Sequence, residues 1–190
     1  ASAEEAVREA ARIGYPVMIK ASAGGGGKGI RLINGPEEVE HAFLTASQEA
    51  QEAFGDGTLY MEKFVCPAKH IEIQVLADEN GKIVCLGERE CSIQKNNQKL
   101  VEESPSPSVT PQLRKELMET AVRAARAVHY VNAGTVEFLL DNDNHFYFME
   151  MNVRLQVEHA VTEQITGIDI VKWQIRIAAG VGLNFEQSDI

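Results

Sequence analysis

Cysteine is scarce and unpatterned in this chain. Its 190 residues hold three, Cys66, Cys85 and Cys91, with no C-x-x-C spacing and no even framework, which excludes a disulfide scaffold and gives no sign of structural zinc. A reducing, cytoplasmic setting is the expectation. Positive charge is also short: 18 Lys and Arg against 28 Asp and Glu leave a formal charge of −10. The basic face that nucleic acid or an anionic membrane surface demands is therefore missing, and neither partner is expected. An anionic substrate must be gathered by a local group of cations. No apolar run approaches the roughly 18 residues of a membrane span, and the amino end lacks the basic and apolar blocks of an export signal. Internal repeats, low-complexity tracts and linkers are absent as well. The first residues already follow a helix pattern and residues 184–190 trail off without a closing element, so both ends read as cuts.

What is present is enough apolar material, 44% of residues, for one fair-sized domain or two small lobes sharing a cleft. Ser2 and Glu5 have capping-box spacing, and the Ala-rich run after them stops at Gly14, which predicts a short opening helix. Residues 15–21 and 30–33 read as strands around the glycine run 24–29. Pro36 opens a second helix that ends at Gly55. From Thr58 the chain turns strand-rich, over 59–65, 70–77 and 82–91 with a turn at 78–81. Residues 94–109 are polar, with Pro105 and Pro107, and read as a long functional loop. Thr110 caps and Pro111 opens a helix to about His129. A hairpin of 134–140 with 145–151, turned by 141–144, precedes a last helix capped by Asp169. Helices mixed with antiparallel hairpins, without regular strand–helix alternation, place the fold in the α+β class, with a lobe boundary near Val65.

The glycine run Gly24-Gly25-Gly26-Gly27-Lys28-Gly29 would let backbone N–H groups approach phosphate oxygens. It is not a Walker A loop, because Gly29 stands where Ser or Thr is needed and a strand follows instead of a helix. A flexible turn is the bland alternative. Lys20 shares a strand face with Met18, opposite Val17 and Ile19, and so projects an ammonium beside that loop. In the hairpin, a four-residue turn puts Glu137 opposite Phe148 and diagonal to Glu150, with Asn152 on the same face. Two carboxylates and an amide on otherwise apolar strands are hard oxygen ligands for Mg²⁺ or Mn²⁺; scattered acids on an exposed sheet face are the competing explanation. Beyond the hairpin, Arg154-Leu155-Gln156-Val157-Glu158-His159 concentrates a guanidinium that suits a planar carboxylate and a Glu that could take a proton. His70 and Glu72 alternate with Ile71 and Ile73 and face one way.

Three stretches, GYPVMIKASAGGGGKGI at 14–30, KHIEIQVLAD at 69–78 and MEMNVRLQVEHAVTE at 149–163, resemble the biotin carboxylase family over essentially the whole chain. Other ATP-grasp enzymes, carbamoyl-phosphate synthetase among them, are similar in fold and hairpin acids, but the RLQVEH run is not expected of them. The resemblance implies an ATP-grasp fold of two lobes with ATP held between them. Residues 1–64 would be the lid lobe and 65–190 the main lobe, incomplete at its carboxy end. It implies that Lys20 and His70 contact the nucleotide, Gly26 and Gly27 lie over its phosphates, and Glu62, Lys63, Phe64 and Val65 form the adenine hinge. Glu137, Glu150 and Asn152 would ligate two Mg²⁺ or Mn²⁺ ions. Lys99, Arg154 and the Val157 backbone would bind bicarbonate, with Glu158 as the base that deprotonates it and Arg154 stabilising a biotin enolate. Asn97 departs from the family, which often has His there, and altered nucleotide affinity is the expected result. Implied partners are a biotin carrier protein or domain and a carboxyltransferase that selects acetyl-CoA, propionyl-CoA or pyruvate. The fragment alone is not expected to turn over efficiently. A nucleotide-binding module without turnover and a different acyl-phosphate-forming ligase are the competing readings. The presence of Lys20, Glu137, Glu150, Asn152, Arg154 and Glu158 together weighs against a degenerate module.

Overall fold

The computed structural model describes residues 2–23, 30–96 and 98–190. These fall into two compact units, Ala1–Cys66 and Pro67–Ile190.

In the smaller unit, α1 (Ala3–Ile13) starts at Ser2, whose hydroxyl accepts from the Glu5 N–H at 3.2 Å, and stops at Gly14 with φ 84°. Strands β1 (Val17–Ala21), β2 (Arg31–Ile33) and β3 (Leu59–Lys63) form an antiparallel sheet in the order β2-β1-β3. Helix α2 (Pro36–Phe54) has Pro in its first turn and ends at Gly55 in the left-handed region, a conformation that glycine adopts without a Cβ penalty. Val17, Ile19 and Ile33 of the sheet pack with Ala6 and Ala10 of α1 and Val39 and Ala46 of α2. The alternate positions Met18 and Lys20 are left on the other face of β1. Gly26 and Gly27, assigned to the phosphate loop, lie outside the described residues, as does Asn97.

The larger unit is built on a five-stranded antiparallel sheet. Its strands are β4 (Lys69–Ala77), β5 (Ile83–Lys95), β6 (Gln98–Glu103), β7 (Asn132–Leu140) and β8 (Phe146–Asn152), in the order β6-β5-β4-β7-β8. Ile71, Ile73, Val75, Val136 and Phe138 bury one face under Leu113, Leu117 and Ala121 of α3 (Pro111–Ala127). Thr110 caps α3 through the Leu113 N–H. The other face is divided. Leu76, Val84, Leu86 and Ala133 pack against Ile170, Trp173 and Ile177 of α5 (Ile170–Ala178). At the opposite end of the same face His70, Glu72 and Gln74 are buried polar groups, beside α4 (His159–Thr166). Strand alternation on β4 thus sends three polar side chains and one leucine to a single face.

Three expectations are corrected. Residues 94–109 are not a long loop: β5 runs to Lys95 and β6 pairs with it, leaving a shorter connection from Ser104 to Thr110. Edge strands carry exposed charge to discourage pairing with other chains, so β6 reads as loop in composition. Glu137 is not opposite Phe148. The ladder pairs Phe138 with Phe148 and then Glu137 with Glu150, a bulge that makes Met149 the extra residue and brings the two acids directly across from each other. Finally, residues 184–190 do not simply trail off, since a 3-10 turn covers Gln187–Asp189. Helix α4 is an addition: it begins inside the RLQVEH run, and Glu158 gives it no side-chain cap that the sequence could announce.

Candidate functional site

The polar end of the larger sheet is organised around Arg89, a fully buried arginine on β5. Strand pairing sets Arg89 opposite Glu72 and Glu72 opposite Glu137, so three charged positions lie in one row across β5, β4 and β7. The Arg89 guanidinium donates to Glu72 Oε2 through Nε at 3.2 Å and Nη2 at 3.1 Å. It also reaches Gln74 Oε1 at 2.7 Å, Thr162 Oγ1 at 2.9 Å, Thr135 Oγ1 at 3.2 Å and Gln156 Oε1 at 3.2 Å. Burial of a charge this deep is tolerated only when every donor is satisfied.

Glu137 is the next centre. Its Oε1 accepts from Gln156 Nε2 at 2.7 Å, Asn152 Nδ2 at 2.8 Å and Lys99 Nζ at 3.2 Å. Its Oε2 lies 2.8 Å from His70 Nε2. Gln94 Nε2 is 2.8 Å from His70 Nδ1; an amide nitrogen only donates, so Nδ1 accepts and Nε2 carries the proton given to Glu137. Burial is the largest single influence on Glu137 and pushes its pKa up, but the His70 and Gln156 hydrogen bonds and the Lys99 charge together outweigh it and hold the group down at about 2.

Lys99, on β6, places its ammonium among Glu72, Glu137 and Glu158. Burial disfavours its charge most, yet the contacts with Glu158 and Glu72 prevail and its pKa is raised. Glu158 is buried at the start of α4; burial raises its pKa, the Lys99 hydrogen bond lowers it, and the net result is a carboxyl below its ordinary range. Three carboxylates therefore face two cations, Arg89 and Lys99.

Outside this buried group, Glu150 stands exposed on the edge strand β8. Asn152 Nδ2 lies 3.5 Å from Glu150 Oε1, and Arg154 Nη1 donates to the Leu155 carbonyl at 3.2 Å. Among the described residues no carboxylate pairs with Arg154. Val157 is 91% exposed. Glu137, Glu150 and Asn152 lie side by side on adjacent strands, with Glu150 open to solvent and the Asn152 amide nitrogen turned to both carboxylates. With that amide turned to present its oxygen, the three would offer the carboxylate and amide oxygens that a hard divalent cation favours.

Sequence reasoning gathered His70, Lys99, Glu137, Asn152, Glu158, Arg154 and Glu150 onto one unit, and the structure clusters the first five through direct contacts. Lys20 and Glu62 belong to the smaller unit, where they form an ion pair across β1 and β3. Lys63 donates to the Gly14 and Tyr15 carbonyls at 2.7 and 2.8 Å, so its ammonium is occupied within that unit. The Phe64 N–H donates to the Pro16 carbonyl at 3.1 Å, and Phe64 and Val65 are half-buried in the segment after β3. Arg89, Gln74, Thr135, Thr162 and Gln94 were missed. The usable signal for Arg89 was the triplet Glu88-Arg89-Glu90 inside an apolar strand: Glu88 and Glu90 face Arg114 and Ser106, and alternation turns Arg89 to the opposite side.

The fold belongs to a class, the ATP-grasp α+β domains, to which its structural neighbours belong. The model for the carbamoyl-phosphate synthase L chain, ATP-binding domain, matches residues 1–186, and the chain belongs to that family. Its strong likenesses are to biotin carboxylases. It is 55% identical over its whole length to the chloroplastic biotin carboxylase 2 of Populus trichocarpa, of which it covers 36%. Against biotin carboxylase 2 of Bacillus subtilis it is 54% identical, over 98% of this chain and 42% of that protein. A biotin carboxylase–β-γ-ATP complex from Campylobacter jejuni superposes with a TM-score of 0.86 at 49% identity, covering 100% of this chain and 42% of that one. The biotin carboxylase domain of Hydrogenobacter thermophilus 2-oxoglutarate carboxylase, bound to MgADP, ADP and bicarbonate, does so at 0.84 and 55% identity, over 98% of this chain and 41% of that one. The chain thus spans about two-fifths of these relatives' length. Among the described residues no helix is long and apolar enough to cross a membrane.

Proposed function

We propose that this chain is the ATP- and bicarbonate-activating part of a biotin carboxylase, which spends ATP to carboxylate biotin borne on a carrier protein or domain. The observation that carries the reading is Lys99, whose ammonium joins Glu137, at the metal-type donor set, to Glu158, at the foot of the Arg154 segment. Phosphoryl transfer depends on positioning and charge neutralisation more than on covalent help from the protein. A cation shared by a metal-side and an anion-side carboxylate is suited to that task.

In this reading Lys20 and His70 contact ATP, Gly26 and Gly27 cover its phosphates, and residues 62–65 receive the adenine. Asn97 offers an amide to the ribose or phosphates. Glu137, Glu150 and Asn152 would hold two Mg²⁺ or Mn²⁺ ions, whose contribution is neutralisation of charge on the transferred phosphoryl group. Lys99, Arg154 and the Val157 backbone bind bicarbonate, Arg154 by the paired donors that match a planar carboxylate. Glu158 takes the bicarbonate proton. The field of Lys99 that keeps Glu158 ionised also favours the dianion left behind, so base and substrate are shifted in the same direction. A bicarbonate oxygen then bonds to the γ-phosphorus as its bond to the β–γ bridging oxygen breaks, which gives carboxyphosphate and ADP. Carboxyphosphate separates into phosphate and CO₂, the released phosphate takes the biotin ureido N–H proton, and the resulting nitrogen nucleophile adds to CO₂ while Arg154 stabilises the enolate. The 1–64 segment acts as the lid lobe and 65–190 as the main lobe. A separate carboxyltransferase uses the carboxybiotin, in the cytoplasm.

The test is phosphate release from ATP by the full-length enzyme with bicarbonate and biotin varied separately. The reading requires release that depends on bicarbonate and increases with biotin. Release indifferent to both overturns it.

A further inference from the structure

The proposed chemistry uses Lys99, Glu158 and Glu137 but not Arg89, one of the fully buried charges among the described residues. Arg89 has no exposed surface, and its nitrogens reach groups on three elements besides its own strand, together with the segment after β8. Those groups are Glu72 and Gln74 on β4, Thr135 on β7, Thr162 on α4 and Gln156 beyond β8. A well-packed apolar side chain would join these elements without desolvating a charge, so packing alone does not account for a guanidinium here.

Two of the contacts have a direction. Gln156 accepts from Arg89 through Oε1 and donates to Glu137 Oε1 through Nε2. The guanidinium therefore fixes which end of the amide meets the carboxylate; reversed, the amide oxygen would oppose Glu137. Thr162 lies four residues after Glu158, one helical turn on the same face of α4. Holding Thr162 Oγ1 at 2.9 Å sets the rotation of α4 at which the Glu158 carboxylate meets Lys99.

We propose that Arg89 is a positioning residue for the two carboxylates that Lys99 joins, acting through Gln156 on metal-side Glu137 and through Thr162 on bicarbonate-side Glu158. This rests on the biotin carboxylase reading above. Arg89 touches no reacting atom, and its effect falls on the metal-side and anion-side carboxylates and not on the contacts that bind the nucleotide itself.

The test uses the full-length enzyme and compares Arg89→Lys and Thr162→Val with wild type. Lysine keeps the charge, but its three donors cannot serve the five groups that the guanidinium reaches, Glu72, Gln74, Thr135, Thr162 and Gln156. Valine has the shape of threonine and removes one bond. Supporting groups of this kind typically change activity by about 10–100-fold, and Arg89→Lys is expected to lower kcat/KM for bicarbonate by that amount while affinity for ADP without metal stays at its wild-type value. Thr162→Val is expected to lower the same parameter less, with a somewhat lower melting temperature because one buried guanidinium N–H loses its acceptor. If Arg89→Lys does not fold, Thr162→Val decides alone. Unchanged bicarbonate kcat/KM in the variants that fold, or an equal loss of affinity for ADP without metal, overturns the positioning role while leaving the functional reading intact. A wild-type enzyme without bicarbonate-dependent cleavage overturns that reading itself, and the inference with it.

Discussion

The ammonium of Lys99 lies 3.2 Å from Glu137 Oε1 and also pairs with Glu158 and Glu72, so one side chain on an edge strand compensates three buried carboxylates from three elements. Strands β6, β4 and β7 and the start of α4 meet at this point. Its removal is consequently an electrostatic change to the whole group and not to one pair.

Lys99→Met should raise the pKa of Glu137 and Glu158, because an opposite charge within a few ångströms favours the ionised form and typically lowers a carboxyl by about 1–3 units. The acid limb of the bicarbonate-dependent rate should then move to higher pH by an amount in that range, together with a fall in the maximum. The measurement is a pH profile of phosphate release by wild type and variant at saturating ATP. An acid limb that stays in place means Lys99 does not set these pKa values.

Glu137 also ties stability to pH. Its folded pKa is held at about 2, below the ordinary value of 4.5, so the unfolded chain takes up the proton first as pH falls. The stabilisation is fully present above about 4.5 and is lost as pH drops towards about 2. Urea midpoints across that window should decline more steeply for wild type than for Glu137→Gln, which has no proton to bind. Parallel declines would assign the acid sensitivity to other carboxyls.

The hairpin shows how far residue spacing carries the argument. Alternation placed Glu137 and Glu150 on one face, and the structure agrees, yet the partner of Glu137 was misassigned because a bulge at Met149 has no marker such as glycine in the sequence. Helix α3 was legible at its start, since Thr110 and Pro111 are specific start signals, whereas it ends at Ala127, short of His129. Helix α4 was not, because Glu158 at its N-cap makes no capping side-chain hydrogen bond. His70 and Glu72 were legible as neighbours on one face, whereas Arg89 was not, since contact with Gln156 and Thr162, 67 and 73 residues away, is a property of the folded sheet. Local periodicity reports which way a strand residue points; it says nothing about what arrives there from elsewhere in the chain.

Glu150 supplies the accessible half of the proposed metal site. It is exposed and faces Glu137 directly, so Glu150→Gln should remove a ligand charge without disturbing the core. Mn²⁺ titration of the enzyme in the presence of ADP should show markedly weaker binding in the variant, with the melting temperature unchanged. Equal Mn²⁺ affinity in both proteins sinks the assignment of Glu150 as a ligand.

Glu158 and Lys20 separate chemistry from binding. Glu158 is buried, ionised below the ordinary carboxyl range by Lys99, and placed in the segment that begins at Arg154. Glu158→Gln preserves shape and removes the proposed base, and a positioned base is typically worth about 10²–10⁴ in rate. In the full-length enzyme that loss should appear in bicarbonate-dependent ATP cleavage, while nucleotide affinity stays near wild type. Lys20 is on the sheet of the smaller unit and pairs only with Glu62 among the described residues. Lys20→Ala removes a cation proposed to meet phosphate, so it should weaken nucleotide binding, and added ATP should recover much of its rate. Fluorescence titration with a labelled ADP and steady-state phosphate release, run on both variants, give the two readouts side by side. If Glu158→Gln retains near-normal bicarbonate-dependent turnover, or loses nucleotide affinity as severely as Lys20→Ala, Glu158 is not the base.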